Sequence, residues 1–156
     1  MARIRSGNLG ISRGFSSAVN KWTKETIQRS EEAFQMGALD LFIALRDATP
    51  IDTGFLRSSL KVGINGALPS GAPNAYGSVS NDTEALGVIA QLKLGDKVTM
   101  GYSSSYAMRV NYGFTGYDSL GRYYNQAGRF WVEAISAQYI SIMRRAASRL
   151  RSSTAM

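Results

Sequence analysis

The chain contains no cysteine and no histidine. Without cysteine there are no disulfides and no thiolate nucleophile. Without histidine the Ser-His-Asp triad, imidazole acid–base chemistry and the usual zinc sites are excluded. A catalyst built from this sequence would have to work with carboxylates, Lys, Tyr or Ser. Long apolar runs are also missing. The best, "ALDLFIAL" at 38–45, contains Asp40 and falls well short of the roughly 20 residues that a bilayer span needs. No membrane association is expected. The opening "MARIRSGNLG" has basic residues with no apolar segment behind them, so no secretory signal is expected either.

Acidic residues are absent from both ends. Residues 1–24 carry Arg3, Arg5, Arg13, Lys21 and Lys24, and residues 144–156 carry Arg144, Arg145, Arg149 and Arg151, with no acid in either stretch. The 119 residues between them hold 9 basic and 11 acidic side chains, so the formal charge of +7 belongs to the termini. Basic ends of this kind point to a polyanion or an acidic partner surface, and the bland alternative is solvated surface. At the C-terminal end the arginines also complement the negative end of a helix dipole.

The remaining composition, 44% hydrophobic and 19% charged over 156 residues, is that of one globular domain. Residues 1–15 are basic, Gly-containing and without period, which predicts a flexible arm. Ser16 or Ser17 then opens a long helix to about Ala48, with Trp22, Ile27, Phe34, Ala38, Leu41, Phe42 and Leu45 near a 3.6-residue period. Residues 55–64 read as a strand. Residues 65–83 read as a long Gly/Pro/Ser/Asn loop, and 84–94 with 97–104 as a β-hairpin around Gly95-Asp96. A short helix at 105–112 ends at Gly113, a second loop covers 114–128, and a final helix spans 129–151. That helix places Trp131, Ile135, Gln138/Tyr139, Ile142, Ala146 and Leu150 on one face. Residues 152–156 are expected to be a disordered tail. The class is α+β: a small antiparallel sheet, three strands on this reading, packed against a long N-terminal and a long C-terminal helix. Such a sheet has open edges and one bare face, which self-assembly would cover.

The stretch "TPIDTGFLRSSL" at 49–60 contains Asp52-Thr53-Gly54, the triplet of aspartic proteases. That chemistry needs two carboxylates sharing a proton, so a homodimer would have to supply the second. Protease sites of this type lie in a loop between apolar strands, whereas this triplet follows a long helix and Pro50. The turn reading accounts for each residue. Pro50 ends the helix, Asp52 accepts backbone N–H groups in an Asx-type turn, and Gly54 supplies φ > 0.

The wider run Thr49-Pro50-Ile51-Asp52-Thr53-Gly54-Phe55-Leu56-Arg57-Ser58-Ser59 closely resembles the "T-P-(V/I)-D-T-G-x-L-R-x-S" signature of the neck and tail-completion proteins of tailed bacteriophages. This family includes minor tail protein Z of lambdoid phages. Tyr106-Ala107 with Asn111-Tyr112-Gly113 is similar to the family's "Y-A-x-x-x-E-Y-G", with Asn where an acid is common. Arg129-Phe130-Trp131 is similar to "R-P-F-(L/M)", with the Pro absent. The resemblance implies a non-enzymatic virion part, assembled in the host cytoplasm. It would be a homo-oligomeric ring at the head–tail junction that contacts other neck, connector and tail proteins and leaves a channel for DNA.

Two rivals remain: a sequence-independent nucleic-acid-binding protein using the basic ends, and the homodimeric aspartic-type protease. No cofactor or metal is expected, since the Gly-rich stretches lack a G-x-x-x-x-G-K-[ST] phosphate cradle. The structural turn residues are Pro50, Asp52, Thr53, Gly54, Leu56 and Arg57, where an Arg beside an Asp such as Asp52 makes an ion pair or an intersubunit contact. The residues expected to face a partner or DNA are Arg3, Arg5, Arg13, Tyr112, Phe114, Tyr117, Arg129, Arg144, Arg145, Arg149 and Arg151. Tyr123 and Tyr124 add to the aromatic set, and aromatics with Gly and Arg in a loop suit a protein interface.

Overall fold

The computed structural model describes residues 9–51, 54–66, 68–69 and 82–153, and the fold is α+β. Its spine is helix α1, Leu9–Ala48, 40 residues and about 60 Å long. The core stripe of α1 is Ala38, Phe42 and Leu45, with Phe34 and Leu41 packed beside them. It buries against strands β1, Leu60–Ile64, and β2, Val98–Tyr102, and against helix α3, Asp82–Ile89. Strands β1 and β2 are antiparallel, with Leu60 opposite Tyr102 and Ile64 opposite Val98. Helix α6, Tyr139–Ser153, lies along α1 and buries Ile142 and Ala146. At Gly37 the two helices come so close that an added Cβ would fall 2.3 Å from the sulfur of Met143.

A second, two-stranded sheet stands apart. Helix α4, Ala107–Tyr112, leads through Gly113 into β3, Gly113–Tyr117, which pairs antiparallel with β4, Tyr123–Ala127. Asp118 closes the turn between them by accepting the N–H groups of Leu120 and Arg122, both at 2.9 Å. These bonds hold its carboxyl below the ordinary carboxylate range, that of Arg122 contributing most. A one-turn helix, α2 (Phe55–Ser58), precedes β1, and α5 (Trp131–Ser136) precedes α6.

Several expectations are corrected. Residues 9–15 belong to α1, not to a flexible arm. Gly10 and Gly14 each cost about 1 kcal/mol in a helix, yet each further residue adds a backbone hydrogen bond, so propagation continues. Residues 55–58 are helical because Gly54, in the left-handed region at φ 80°, redirects the chain into a turn. Residues 84–89 of the expected strand belong instead to α3, and 90–94 form the turns that follow it. The buried α3 residues Ala85 and Ile89 are four apart, as helical spacing requires, Leu92 packs just past its end, and Asp82 and Glu84 suit the positive end of the helix dipole. β2 therefore pairs with β1 rather than with 84–94, and among the described residues the three-stranded sheet is replaced by two sheets of two strands.

The 114–128 loop is the β3–β4 hairpin, where Phe, Thr and Tyr have the strand propensity that a count of glycines hides. The last helix divides at 137–138, where Gln138 N–H turns to the carbonyl of Ile135 at 2.9 Å instead of continuing the α pattern. Tyr139 is left exposed by that break. Ser152 and Ser153 are helical, not part of a tail, and residues 154–156 lie outside the described residues. The 65–83 loop falls mostly outside them as well, and Asp82 and Thr83 open α3. Trp22, placed above on the apolar period of this helix, is 67% exposed, and no described element covers α1 there.

The hairpin's base depends on Gly128, which lies against the chain at Asn111 and Tyr112. A Cβ there would sit 2.5 Å from the Tyr112 carbonyl carbon and 2.7 Å from the Asn111 oxygen. Gly128→Ala is expected to cost roughly 1–3 kcal/mol in urea unfolding, the range for overpacking against atoms that cannot yield. Gly87, in α3 with open space around it, is the control, and Gly87→Ala should gain roughly 0.4–1 kcal/mol. Equal effects at the two glycines would contradict the close packing at the hairpin base.

Candidate functional site: the junction turn and the aromatic hairpin

The last turn of α1 ends in a buried hydrogen-bond node. The Thr49 hydroxyl donates to the Leu45 carbonyl at 2.7 Å and lies 2.7 Å from the Tyr102 hydroxyl. The Trp131 indole N–H donates to the same Tyr102 oxygen at 2.9 Å. One proton order satisfies all three groups: Trp131 donates to Tyr102, Tyr102 to Thr49, and Thr49 to Leu45. The longer approach of the Tyr102 hydroxyl to the Leu45 carbonyl, 3.2 Å, shares the Tyr102 proton. The Tyr102 and Trp131 rings also meet edge to face, with centroids 5.7 Å apart. The node thus fastens α1, β2 and α5 at one point, and burial pushes the Tyr102 hydroxyl above its usual pKa.

Pro50 follows directly and Gly54 makes the reversal, while Asp52 and Thr53 lie outside the described residues. Beyond the reversal, Leu56 packs with Ala107 and Trp131. Ser58 and Ser59 turn their hydroxyls back onto the carbonyls of Phe55 and Leu56, at 2.9 and 2.7 Å. The Arg57 Nε donates to the Arg46 carbonyl at 3.0 Å, and its Nη2 lies 3.8 Å from Asp47. The described acid beside Arg57 is therefore Asp47, at the end of α1. Arg57 acts as a cap on the last turn of α1, whose carbonyls carry the negative end of the helix dipole. These polar groups are spent on one another, so what the junction does chemically is hold its elements in register.

The hairpin gathers several of the residues expected at an interface. Arg109 lies over the ring of Phe114 at 4.4 Å, and Tyr117 meets Tyr123 at 5.2 Å near the tip. At the base, exposed Tyr112 contacts Phe130 edge to face at 6.1 Å. Arg129 is exposed, its backbone N–H bound to the Val110 carbonyl. Asn111, where the family pattern has an acid, is buried and donates to both oxygens of Glu133, at 3.1 and 2.8 Å. A hydrogen bond from Tyr112, together with those from Asn111, holds the Glu133 carboxyl below its ordinary range.

The terminal cations divide differently from expectation. Arg3 and Arg5 lie outside the described residues, and Arg13 is exposed far along α1 from the hairpin. Arg149 pairs with Asp40 across the α1–α6 contact, which gives it a structural role. Arg144, Arg145 and Arg151 are exposed. The structure thus brings Tyr112, Phe114, Tyr117 and Arg129 together on and beside one hairpin and leaves Arg13 and the α6 arginines elsewhere. Sequence reasoning missed Tyr102, whose role is visible only through three distant partners. It also missed the exposed stripe Phe15-Val19-Trp22, whose 4,3 spacing was the available signal.

Among the described residues no group of three acidic side chains is arranged to hold a metal ion, and no helix is long and apolar enough to cross a membrane. Compared with family models, curated proteins and solved structures, the chain finds no match in any of the three.

Tyr102→Phe keeps the ring and removes the shared oxygen, leaving the Trp131 N–H without its acceptor. A loss of about 1–3 kcal/mol in urea unfolding is expected, the range for a buried donor left unsatisfied. Because the folded-state pKa of Tyr102 is raised, its contribution is intact below pH ~10 and falls as pH rises from there through the folded value. The wild-type chain should therefore lose stability above pH ~10 more steeply than Tyr102→Phe. Parallel alkaline profiles for the two proteins would count against the node.

Proposed function

We propose that this chain is a non-enzymatic structural part of a tailed-phage virion, one subunit of a ring at the head–tail junction through which DNA passes. The observation that carries this reading is the placement of residues 49–59. In the resembled family the signature joins a long N-terminal helix to the first strand. Here Thr49 to Ser59 runs from the end of α1 through one helical turn to β1. The residues described in that run are engaged in holding α1, the first sheet and α5 together, a scaffold's task. The exposed aromatic hairpin and the basic, uncovered start of α1 supply contact surface without supplying a reaction centre.

Residual contact with DNA in the lumen has its own support in the exposed Arg13, Lys21 and Lys24 on α1 and Arg144, Arg145 and Arg151 on α6. These cations would contact phosphates without reading sequence. Neighbouring neck, connector and tail proteins are the principal partners on this reading, and the virion is its location.

Deleting the gene from its phage should give separate filled heads and finished tails, and supplying the chain in trans should restore joining. The chain should then be found at the neck by immunogold labelling. Joined, infectious particles from the deletion would overturn the proposal, as would acid peptidase activity that disappears in Asp52→Asn. For the cations, Arg144, Arg145 and Arg151 changed together to Ser should lower infectious yield at least tenfold while the protein still folds. Arg149 is kept because it pairs with Asp40. Normal yield from the triple variant would remove the α6 arginines from the partner surface.

A further inference from the structure

We infer that the start of α1 is an intersubunit arm: its Phe15-Val19-Trp22 stripe docks into the apolar groove between α1, β2 and α5–α6 of a second copy of this chain. The inference rests on the ring reading above.

Every residue from 13 to 29 is exposed, and the last turn of α6 reaches no further along α1 than Thr26 and Arg29. The first 17 residues of α1, Leu9 to Glu25, therefore project about 25 Å beyond the body. Phe15 is 70% exposed and Trp22 67%, with Val19 between them on the same face. That face is turned about 140° from the Ala38-Phe42-Leu45 core stripe, at 100° per residue, so it is not the core face continued. Two bare aromatic rings a helical turn or two apart are the anchors of a helix-in-groove contact.

The receiving surface is on the same chain. A groove of about 630 Å³ runs between α1, the α1-facing side of β2 and the α5–α6 pair, lined by Ala38, Leu41, Val98, Met100, Val132 and Tyr139. Its volume lies within the range, about 300–1,000 Å³, of pockets that seat bulky apolar groups. The chain's own arm cannot reach it. Val19 and Leu41 lie on one continuous helix, about 33 Å apart, and folding back would break the helix. Only a second copy brings stripe and groove together.

Two further observations select the groove over arm-to-arm pairing. The stripe spans only Phe15 to Trp22 before polar Thr26 takes its next position, too short for a coiled coil of three or four heptads. Each arm also carries Arg13, Lys21 and Lys24 with no acid before Glu25, so two arms side by side repel. At the groove's end, Asp96 lines the wall beside Lys97, and Glu31 accepts the N–H of neighbouring Leu94. Hydrogen bonds from the Lys93 N–H and the Asn65 side chain hold the Asp96 carboxyl below the ordinary carboxylate range. A projecting knob and a pocket at different places on one molecule make a head-to-tail contact, the kind that closes into rings.

The chain has no cysteine, so single-cysteine variants cross-link without background. Ala18 sits beside the stripe and Ser136 lines the groove, and both are exposed, so neither substitution should disturb the body. Mixing Ala18→Cys protein with Ser136→Cys protein and adding a short bismaleimide should give at least tenfold more mixed dimer than either variant gives alone. Adding Trp22→Glu to the Ala18→Cys chain should abolish it. Native mass spectrometry and electron microscopy of the wild-type full chain, run alongside, separate this inference from the ring reading. Closed rings without the mixed cross-link overturn the arm and leave the ring. The mixed cross-link in open chains supports the arm and overturns the ring. Dominant Ala18→Cys homodimers show arm-to-arm pairing and overturn the inference. A chain that stays monomeric and uncross-linked at every concentration overturns both.

Discussion

The body of this protein is organised around one shared oxygen. The Tyr102 hydroxyl is the only point at which the end of α1, the end of β2 and the first turn of α5 meet through described side-chain hydrogen bonds. Its position depends on strand register, since Tyr102 pairs with Leu60 and its side chain must point toward α1. A slip of one residue would turn Tyr102 to the other face and strand both Thr49 and the Trp131 indole. The same slip would carry Val98 and Met100 away from the core they help close. Hydrophobic packing and the polar node therefore demand one register, and that agreement specifies a single arrangement. The tightly bonded turn at 49–59 then has a plain physical purpose. It must deliver β1 to that register immediately after a helix of 40 residues.

Ion pairs fasten the remaining pieces to this centre. Arg46 binds Asp82 at 2.5 Å and Lys61 binds Glu84 at 2.9 Å, so both acids in the first turn of α3 are held by cations of α1 and β1. Lys61 is 8% exposed, and its pairing with Glu84 explains how a lysine tolerates that burial. Arg149 and Asp40 do the same between α6 and α1. Each pair adds direction to contacts that apolar packing alone would leave free to slide.

How much of this was legible varied with the kind of signal. The long helix was legible because Phe34 to Leu45 repeats at 3.6 over several turns and Pro50 stops it. Its start was not, since Gly10 and Gly14 look like breakers and nothing in the sequence says that the helix runs past its own core. Residues 84–94 were misread because "ALGVIA" satisfies both a short apolar strand and a helix face. Asp82 and Glu84 at its front were the deciding cue. The 114–128 stretch was misread by composition: Gly116, Gly121 and Gly128 weighed more than the Phe114, Thr115, Tyr117, Tyr123 and Tyr124 that build the strands. At the candidate site, the turn from Pro50 through Gly54 to Leu56 was legible in outline. The partner of Arg57 was not, because Asp47 becomes its neighbour only once α1 and α2 are folded against each other.

The division between what is buried and what is bare argues for assembly more directly than the charge does. Among the described residues 13 apolar side chains are buried while 19 large apolar or aromatic ones are exposed. Single exposed residues are ordinary, but these are grouped. Phe15, Val19 and Trp22 share one face of the projecting helix, and Tyr112, Tyr117, Tyr123, Tyr124 and Phe130 share one hairpin and its base. A hairpin of two strands is marginal in water alone, and every residue of β4 is exposed. Among the described residues no element packs on the helix start, and tertiary packing is where most helical stability originates. Both features thus cost the isolated chain stability that packing against another surface would return. Charge adds direction to that surface. The uncovered helix is wholly basic up to Glu25, while the body between the two ends has acids in excess by 11 to 9. Apolar grouping sets where contact forms, and the opposed charges favour arm against body over arm against arm.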